Sequence, residues 1–323
     1  MKVHLLQTPD EAAKQHFQAL IDRRIRVSYG PLDGGGEFDV LVSGRPSRQA
    51  LHASEKLTTL VIPFAGIPRA TKELLQDVPD LEVYNLHHNA LPTAEMAIML
   101  MLAVMKQIIP ADQNLRRGDW TLRYQNRTTR LASGGQALVL GYGAVGRQVS
   151  SLCVGLGMLV TVVGRSMEKA HPAAYRYVSS DHIEEELPGC DVVFVCLPLT
   201  AETEDYLDER RLGLLSESTV LINVGRGEIV NELALYNALR EKKILGAGLD
   251  VWYRYPGGVE ERGHTHPSAY PFHELDNVVM SPHMAGGVNG MELRRMEGLA
   301  ELLNRLYLRE KPAENRVDLQ LGY

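Results

Sequence analysis

The feature that most restricts the fold is a succession of short, uninterrupted apolar runs separated by stretches with helical spacing. In the first third these runs are KVHLL, FDVLVSG, LTTLVIPF and LEVYNL. From residue 136 onward they are ALVLG, MLVTVVG, DVVFVCLP, TVLINVG, LGAGLDVW and NVVMSPH. A strand wetted on one side alternates polar and apolar residues, so runs apolar at consecutive positions demand cover on both faces. Such strands alternating with helices specify parallel sheets sandwiched by helices. Two series without an internal repeat predict an α/β protein of two doubly wound parallel-sheet domains. The 323 residues suffice for two cores.

The join falls at the helix beginning near LPTAEMAIML, where Pro92 suits a first turn. Its apolar run, Met96 to Met105, is about half of what a bilayer needs and predicts a helix buried all round. The polar stretch 116–136 reads as a linker or an arm toward another subunit. Leu293, Met296, Leu299, Leu303 and Leu306 line one face of a final helix, placed to cross back onto the first domain. The expected organisation is a substrate domain over 1–106, a dinucleotide-binding domain over 107–289 and a returning C-terminal helix over 290–323. Forty acidic residues against 34 Lys plus Arg give a net charge of -6. With no block of Lys and Arg, no nucleic-acid partner is expected. The start has too short an apolar run for a signal peptide, and no membrane association is expected. Three cysteines, Cys153, Cys190 and Cys196, are odd in number and lack ligand spacing, which fits a reducing cytoplasm and no disulfide framework. His264 and His266 have no evident third ligand, so no metal is expected.

In ALVLGYGAVGRQV, Gly141, Gly143 and Gly146 have the G-x-G-x-x-G spacing between a strand and a helix. The first glycine permits a tight turn, the second lets backbone approach a pyrophosphate, and the third lets helix and strand pack closely. The next strand ends in Gly164, Arg165 and Ser166, with Lys169 one turn on, where an NAD-binding unit usually has an acid. A guanidinium can pair with a 2′-phosphate through two parallel hydrogen bonds, to which serine adds a donor and lysine a charge. NADP(H) is therefore expected over NAD(H). A solvated surface arginine is the alternative.

The segments TAEMAIMLMLA, LGYGAVGRQVS, CDVVFVCLPLTAETE, LINVGRGEIVNELALYNALREKKILGAGLDVW and LDNVVMSPHMAGG resemble the D-isomer-specific 2-hydroxyacid dehydrogenases. The resemblance implies a Rossmann dinucleotide-binding domain inserted in a flavodoxin-like substrate domain, a homodimer, and hydride exchange with a 2-keto or 2-hydroxy acid. Arg226 matches the arginine that holds the substrate carboxylate and polarises its keto oxygen, and His283 matches the acid/base. Asp250 matches the residue at the nicotinamide carboxamide, with Cys196, Leu197 and Pro198 at the adjacent ribose. The implied cofactor contacts also include Ala144, Val145, Thr203, Val224, Gly225, Arg226, His283, Ala285 and Gly286. The chemistry asks for the same types, since reducing a ketone builds negative charge on oxygen, which a fixed cation and a proton donor relieve. A nucleophilic role for Cys196 is not needed.

Three departures stand out. The family's glutamate partner of the histidine is replaced by Tyr255, a phenol without charge at neutral pH, with Glu260 and Glu261 further along the loop. The substrate-binding loop reads PFAGIPRA, where Ala65, Gly66 and Ile67 supply the contacts and Pro68 has no N–H to offer. His87 and His88 precede the long helix, either as substrate contacts or as a polar turn. The expected activity is NADP(H)-dependent reduction of a small 2-keto acid of the glyoxylate or hydroxypyruvate type. The alternatives are a nucleotide-sensing binding protein with little turnover and an oxidoreductase for a non-carboxylate substrate.

Overall fold

In the computed structural model, residues 1–32, 34–125, 129–165, 174–312 and 314–319 are described. The first sheet comprises β1 (Lys2–Leu5), β2 (Arg26–Tyr29), β3 (Val40–Val42), β4 (Thr59–Ile62) and β5 (Glu82–Asn85), all parallel in the order β2-β1-β3-β4-β5. Val3, Leu5, Val40 and Val42 bury one face against Phe17 of helix Glu11–Leu20 and against Met296, Leu299 and Leu303 of helix Met291–Tyr307. Leu41, Leu60, Ile62 and Val83 fill the other face. Helix Glu11–Leu20 starts where it does because the Asp10 side chain accepts the Ala13 N–H at 2.8 Å. The C-terminal segment runs antiparallel along β5: Asn85 N–H donates to Asn315 O and Val317 N–H to Val83 O, each at 2.8 Å, which covers that edge.

The second sheet comprises β6 (Gln136–Leu140), β7 (Leu159–Gly164), β8 (Tyr175–Ser179), β9 (Val192–Val195), β10 (Val220–Asn223), β11 (Gly246–Leu249) and β12 (Val278–Met280). Its order is β12-β11-β10-β9-β6-β7-β8, again all parallel. Strand order reverses between β6 and β9, the switch point beyond whose C-terminal ends ligands bind in open α/β sheets. Helix Ala90–Lys106 lies directly on this sheet. A Cβ on Gly246 would stand 2.9 Å from Val104 Cγ1 and one on Gly248 would stand 2.7 Å from Leu100 Cβ, so β11 carries glycines where the helix presses closest. The helix is not buried all round as its composition suggested. Leu91, Glu95 and Met99, four residues apart, form a stripe exposed to solvent.

The chain divides into one unit of Met1–Asn89 with Gly287–Tyr323 and a second of Ala90–Gly286, so the second is inserted in sequence within the first. Both are doubly wound α/β units, as the apolar runs require. The boundaries differ from the expected 106/107 and 289/290. Helix Ala90–Lys106 belongs with β10, β11 and helix Ala144–Gly155, whose apolar residues share one core with Leu100, Met101 and Val104.

Candidate active site

The glycine turn after β6 has the geometry its spacing demands. Gly141 lies at φ 96°, in the left-handed region, and a Cβ there would stand 3.0 Å from the Cys196 carbonyl oxygen. A Cβ on Gly146 would overlap the Gly141 oxygen at 1.9 Å, which forces the third glycine. Gly143 faces open space and caps helix Ala144–Gly155 without any side-chain cap, so the helix N-terminus at Ala144 and Val145 is left to a ligand. This cradle fits a dinucleotide pyrophosphate. Across the switch point, Cys196, Leu197 and Pro198 follow β9, and burial pushes the Cys196 thiol far above the ordinary thiol range, which leaves it inert. The Thr203 hydroxyl donates to Pro198 O at 2.6 Å and accepts the Thr200 N–H at 2.8 Å, closing that loop on itself. At the end of β7, Gly164 is held against Tyr177, whose hydroxyl a Cβ would meet at 1.9 Å. Arg165 follows it on the surface, 4.0 Å from the Glu202 carboxylate. Ser166 and Lys169 lie outside the described residues.

The reacting end is assembled where β10, β11 and β12 stop. Asn223 closes β10 with two bonds, accepting the Gly225 N–H at 3.0 Å and donating to the Arg226 carbonyl at 2.9 Å. The glycines on either side of Arg226 are sterically required. A Cβ on Gly225 would stand 2.7 Å from Leu197 O, and one on Gly227 would stand 2.5 Å from Trp252 O. Arg226 is thereby fixed beside buried Val224. Its guanidinium donates to its neighbour Gly225 O at 2.6 Å and meets no carboxylate among the described residues.

Asp250, at the end of β11, is 1% exposed. Its Oδ1 accepts from the Ser281 hydroxyl at 2.6 Å and the Met284 N–H at 3.0 Å, and its Oδ2 accepts the Ala285 N–H at 3.0 Å. This clasp turns the backbone through His283, which takes φ 55°, unusual for a residue with a side chain. Gly286 then ends the unit. The Trp252 indole N–H donates to Ser281 O at 2.8 Å and ties the same segment from a second side. Neither Trp252 nor Ser281 was singled out in the sequence; the Trp in GLDVW was the only available signal.

Tyr255 packs its ring against that of His283, centroids 5.4 Å apart and planes inclined by 53°. Its hydroxyl accepts the Trp252 N–H at 3.1 Å. Desolvation by the groups packed around it and the Arg226 charge hold the His283 pKa below the ordinary histidine value, with Asp250 opposing, although the residue as a whole stays exposed. Burial likewise raises the Tyr255 phenol. Glu261 is occupied in its own loop, where it accepts the Gly257 N–H at 2.7 Å, and Glu260 is exposed. Arg226, Asp250, Tyr255 and His283 thus come together within the second unit.

In the first unit, the Asn85 side chain donates to Ala65 O at 2.7 Å and Thr71 donates to Gly44 O at 2.9 Å, which fixes the loop after β4. The N–H groups of Ala65, Gly66 and Ile67 make no hydrogen bond among the described residues. His87 Nε2 lies 3.0 Å from Glu314 O. Burial and the Arg295 charge push His88 down to about 4, a neutral histidine at physiological pH. His266 stacks on His273 at 4.7 Å, and no group of metal-ligating side chains occurs among the described residues.

Residues 98–285 match the family described as D-isomer specific 2-hydroxyacid dehydrogenase, NAD binding domain. A glyoxylate reductase of Thermococcus onnurineus is 32% identical over 229 residues, 69% of this chain and 64% of that protein. A D-3-phosphoglycerate dehydrogenase of Methanocaldococcus jannaschii is 29% identical over 289 residues, 88% of this chain and 52% of that protein. The matches therefore span less than two thirds of those relatives' own length. Among solved structures, a D-isomer specific 2-hydroxyacid dehydrogenase from Xanthobacter autotrophicus, in complex with NADPH and MES, superposes with a TM-score of 0.80. It is 24% identical and covers 100% of this chain and 99% of that one, a likeness of fold.

Proposed function

This chain belongs to the D-isomer specific 2-hydroxyacid dehydrogenase family, and from that premise we propose that it is an NADP(H)-dependent reductase of small 2-keto acids, of the glyoxylate or hydroxypyruvate type. The observation that carries this reading is a pair at strand ends of one sheet: an arginine after β10 with no carboxylate partner among the described residues, and within reach of its charge a histidine held in a strained turn after β12. Arg226 grips the substrate carboxylate through its planar fork and draws charge from the keto oxygen. His283, when protonated, gives that oxygen its proton. A nicotinamide cofactor, when bound, supplies the hydride. Gly141, Gly143 and Gly146, with the helix N-terminus at Ala144 and Val145, hold its pyrophosphate, and Cys196, Leu197, Pro198, Val224 and Gly225 line its far end. In the first unit, Ala65, Gly66 and Ile67 keep backbone N–H groups as donors for an anion.

Purified protein tested with NADPH on a panel of 2-keto acids is expected to turn over glyoxylate or hydroxypyruvate. Arg226→Lys should lose most of that turnover while NADPH binding, followed by fluorescence, stays unchanged. A mutant with full activity would show that another group holds the carboxylate. Tyr255 in place of a carboxylate favours a second reading, a nucleotide-sensing protein with little turnover, which tight NADPH binding without reduction of any keto acid would support. We also assign the chain to the cytoplasm as a homodimer joined through the polar stretch 116–136 together with the helix Ile108–Leu115 before it. There Ile108, Leu115, Trp120, Tyr124 and Leu131 are exposed, and an apolar set of this kind calls for a partner.

A further inference from the structure

The histidine at the reacting end stands without an anion free to charge it, and that bears on which electrophile the site suits. Its surroundings are few. Arg226 comes from the loop after β10, Asp250 from the end of β11, Tyr255 from the loop that follows, and Met284 and Ala285 from its own turn. Arg226 opposes a second positive charge. Both Asp250 oxygens already accept from Ser281, Met284 and Ala285. The Tyr255 oxygen is bound to the Trp252 N–H, and only its ring meets the imidazole. The His283 imidazole itself has no hydrogen-bond partner among the described residues.

A neutral imidazole has a free acceptor nitrogen. A ketone oxygen offers lone pairs only and must be given a proton as it becomes an alkoxide. An iminium nitrogen offers N–H donors and already carries the positive charge that hydride transfer neutralises. We propose that this site takes 2-imino acids, formed from a 2-keto acid and ammonia or a primary amine, with the carboxylate on Arg226 and the iminium N–H donated to a ring nitrogen of His283. The carboxylate makes such a substrate a zwitterion, so Arg226 does not repel it. In the reduction, the hydride pair from the reduced nicotinamide forms the new C–H bond, and the C=N π pair withdraws onto nitrogen. The product is a neutral 2-amino acid nitrogen and an oxidised nicotinamide, and no proton is supplied by the protein. The inference rests on the carboxylate-binding role given above to Arg226 and on the place of His283 at the reacting end, but it makes the imidazole an acceptor instead of a proton donor, and its test separates the two readings.

Full-length protein with NADPH and glyoxylate is assayed with and without methylamine at about pH 9, where a primary amine begins to lose its proton, and products are identified by mass spectrometry. N-methylglycine is expected to exceed glycolate by about tenfold. Calorimetric titration of the protein with NADP bound should show N-methylglycine binding more tightly than glycolate. Tyr255→Glu, at an exposed position, gives His283 a carboxylate and should swing the product ratio back toward glycolate. Glycolate alone, with or without methylamine, overturns the imine inference and leaves the keto-acid reading intact. Neither product, with NADPH still bound, overturns both. Tighter binding of glycolate, or a product ratio unmoved by Tyr255→Glu, also counts against it.

Discussion

At the end of β7 the Arg165 guanidinium stands 4.0 Å from the Glu202 carboxylate, both on the surface. A 2′-phosphate arriving there would exchange a loose ion pair for a forked one, so Arg165→Ala is expected to reduce the preference for NADPH over NADH by about tenfold or more. Glu202→Gln should sharpen it, because the competing anion is gone. Fluorescence titration with both cofactors measures this, and equal affinities in the unaltered protein would refute it. His283 sets a second expectation. Reduction of a ketone needs imidazolium, and burial plus Arg226 hold its pKa below the ordinary value. The keto-acid rate should therefore already be falling as pH rises through the weakly acidic range. Tyr255→Glu would restore an anion and move that fall to higher pH; an unmoved profile would mean the two side chains do not couple. Arg226 and His283 were legible in the sequence because they end apolar runs in specific motifs. The clasp by Asp250, Ser281 and Trp252 was not. It is made by three bonds to backbone and one between side chains, across 29 to 35 residues, which no local pattern records.

Among elements, the contact between β11 and helix Ala90–Lys106 leaves no room for a side chain at Gly246 or Gly248 of the strand. Gly248→Ala would drive a methyl to 2.7 Å from Leu100 Cβ and 2.9 Å from Ile222 Cδ1, and overpacking of that kind costs about 1–3 kcal/mol. Denaturant unfolding should report the loss, and a variant as stable as the parent would show that the helix can shift. The strands missed in the sequence were β2 and β8, and both lie at sheet edges. An edge strand is partly wetted, so RVSY and YRYVS mix polar and apolar residues more evenly than inner strands such as VVFV, TLVI and VLIN. Uninterrupted apolar runs reveal strands covered on both faces, and an edge strand only where its residues are themselves apolar, as in β12. The exposed stripe of helix Ala90–Lys106 was hidden for the opposite reason: Leu91 and Met99 are apolar yet wetted.

For the molecule as a whole, the arm between the long helix and β6 carries Trp120 at 59% and Tyr124 at 80% exposure. Removing such surface from water on pairing is favourable by about 25 cal/mol per Å². If two copies join there, Trp120→Glu with Tyr124→Glu should yield a monomer by light scattering without loss of NADPH binding. A parent protein that is already monomeric would sink the homodimer. The two-unit plan was legible from the two series of apolar runs. The position of the seams was not, because the long helix is apolar enough to suit either sheet and only the glycines of β11 decide for the second. That plan also governs the order of birth on the ribosome. The first sheet emerges early, but Met296, Leu299 and Leu303, which fill one of its faces, are made only after the whole inserted unit. The inserted unit is continuous and complete by Gly286. During synthesis the earlier-made sheet must therefore wait, half clothed, while its younger neighbour folds, and that interval is when a nascent chain most needs a chaperone.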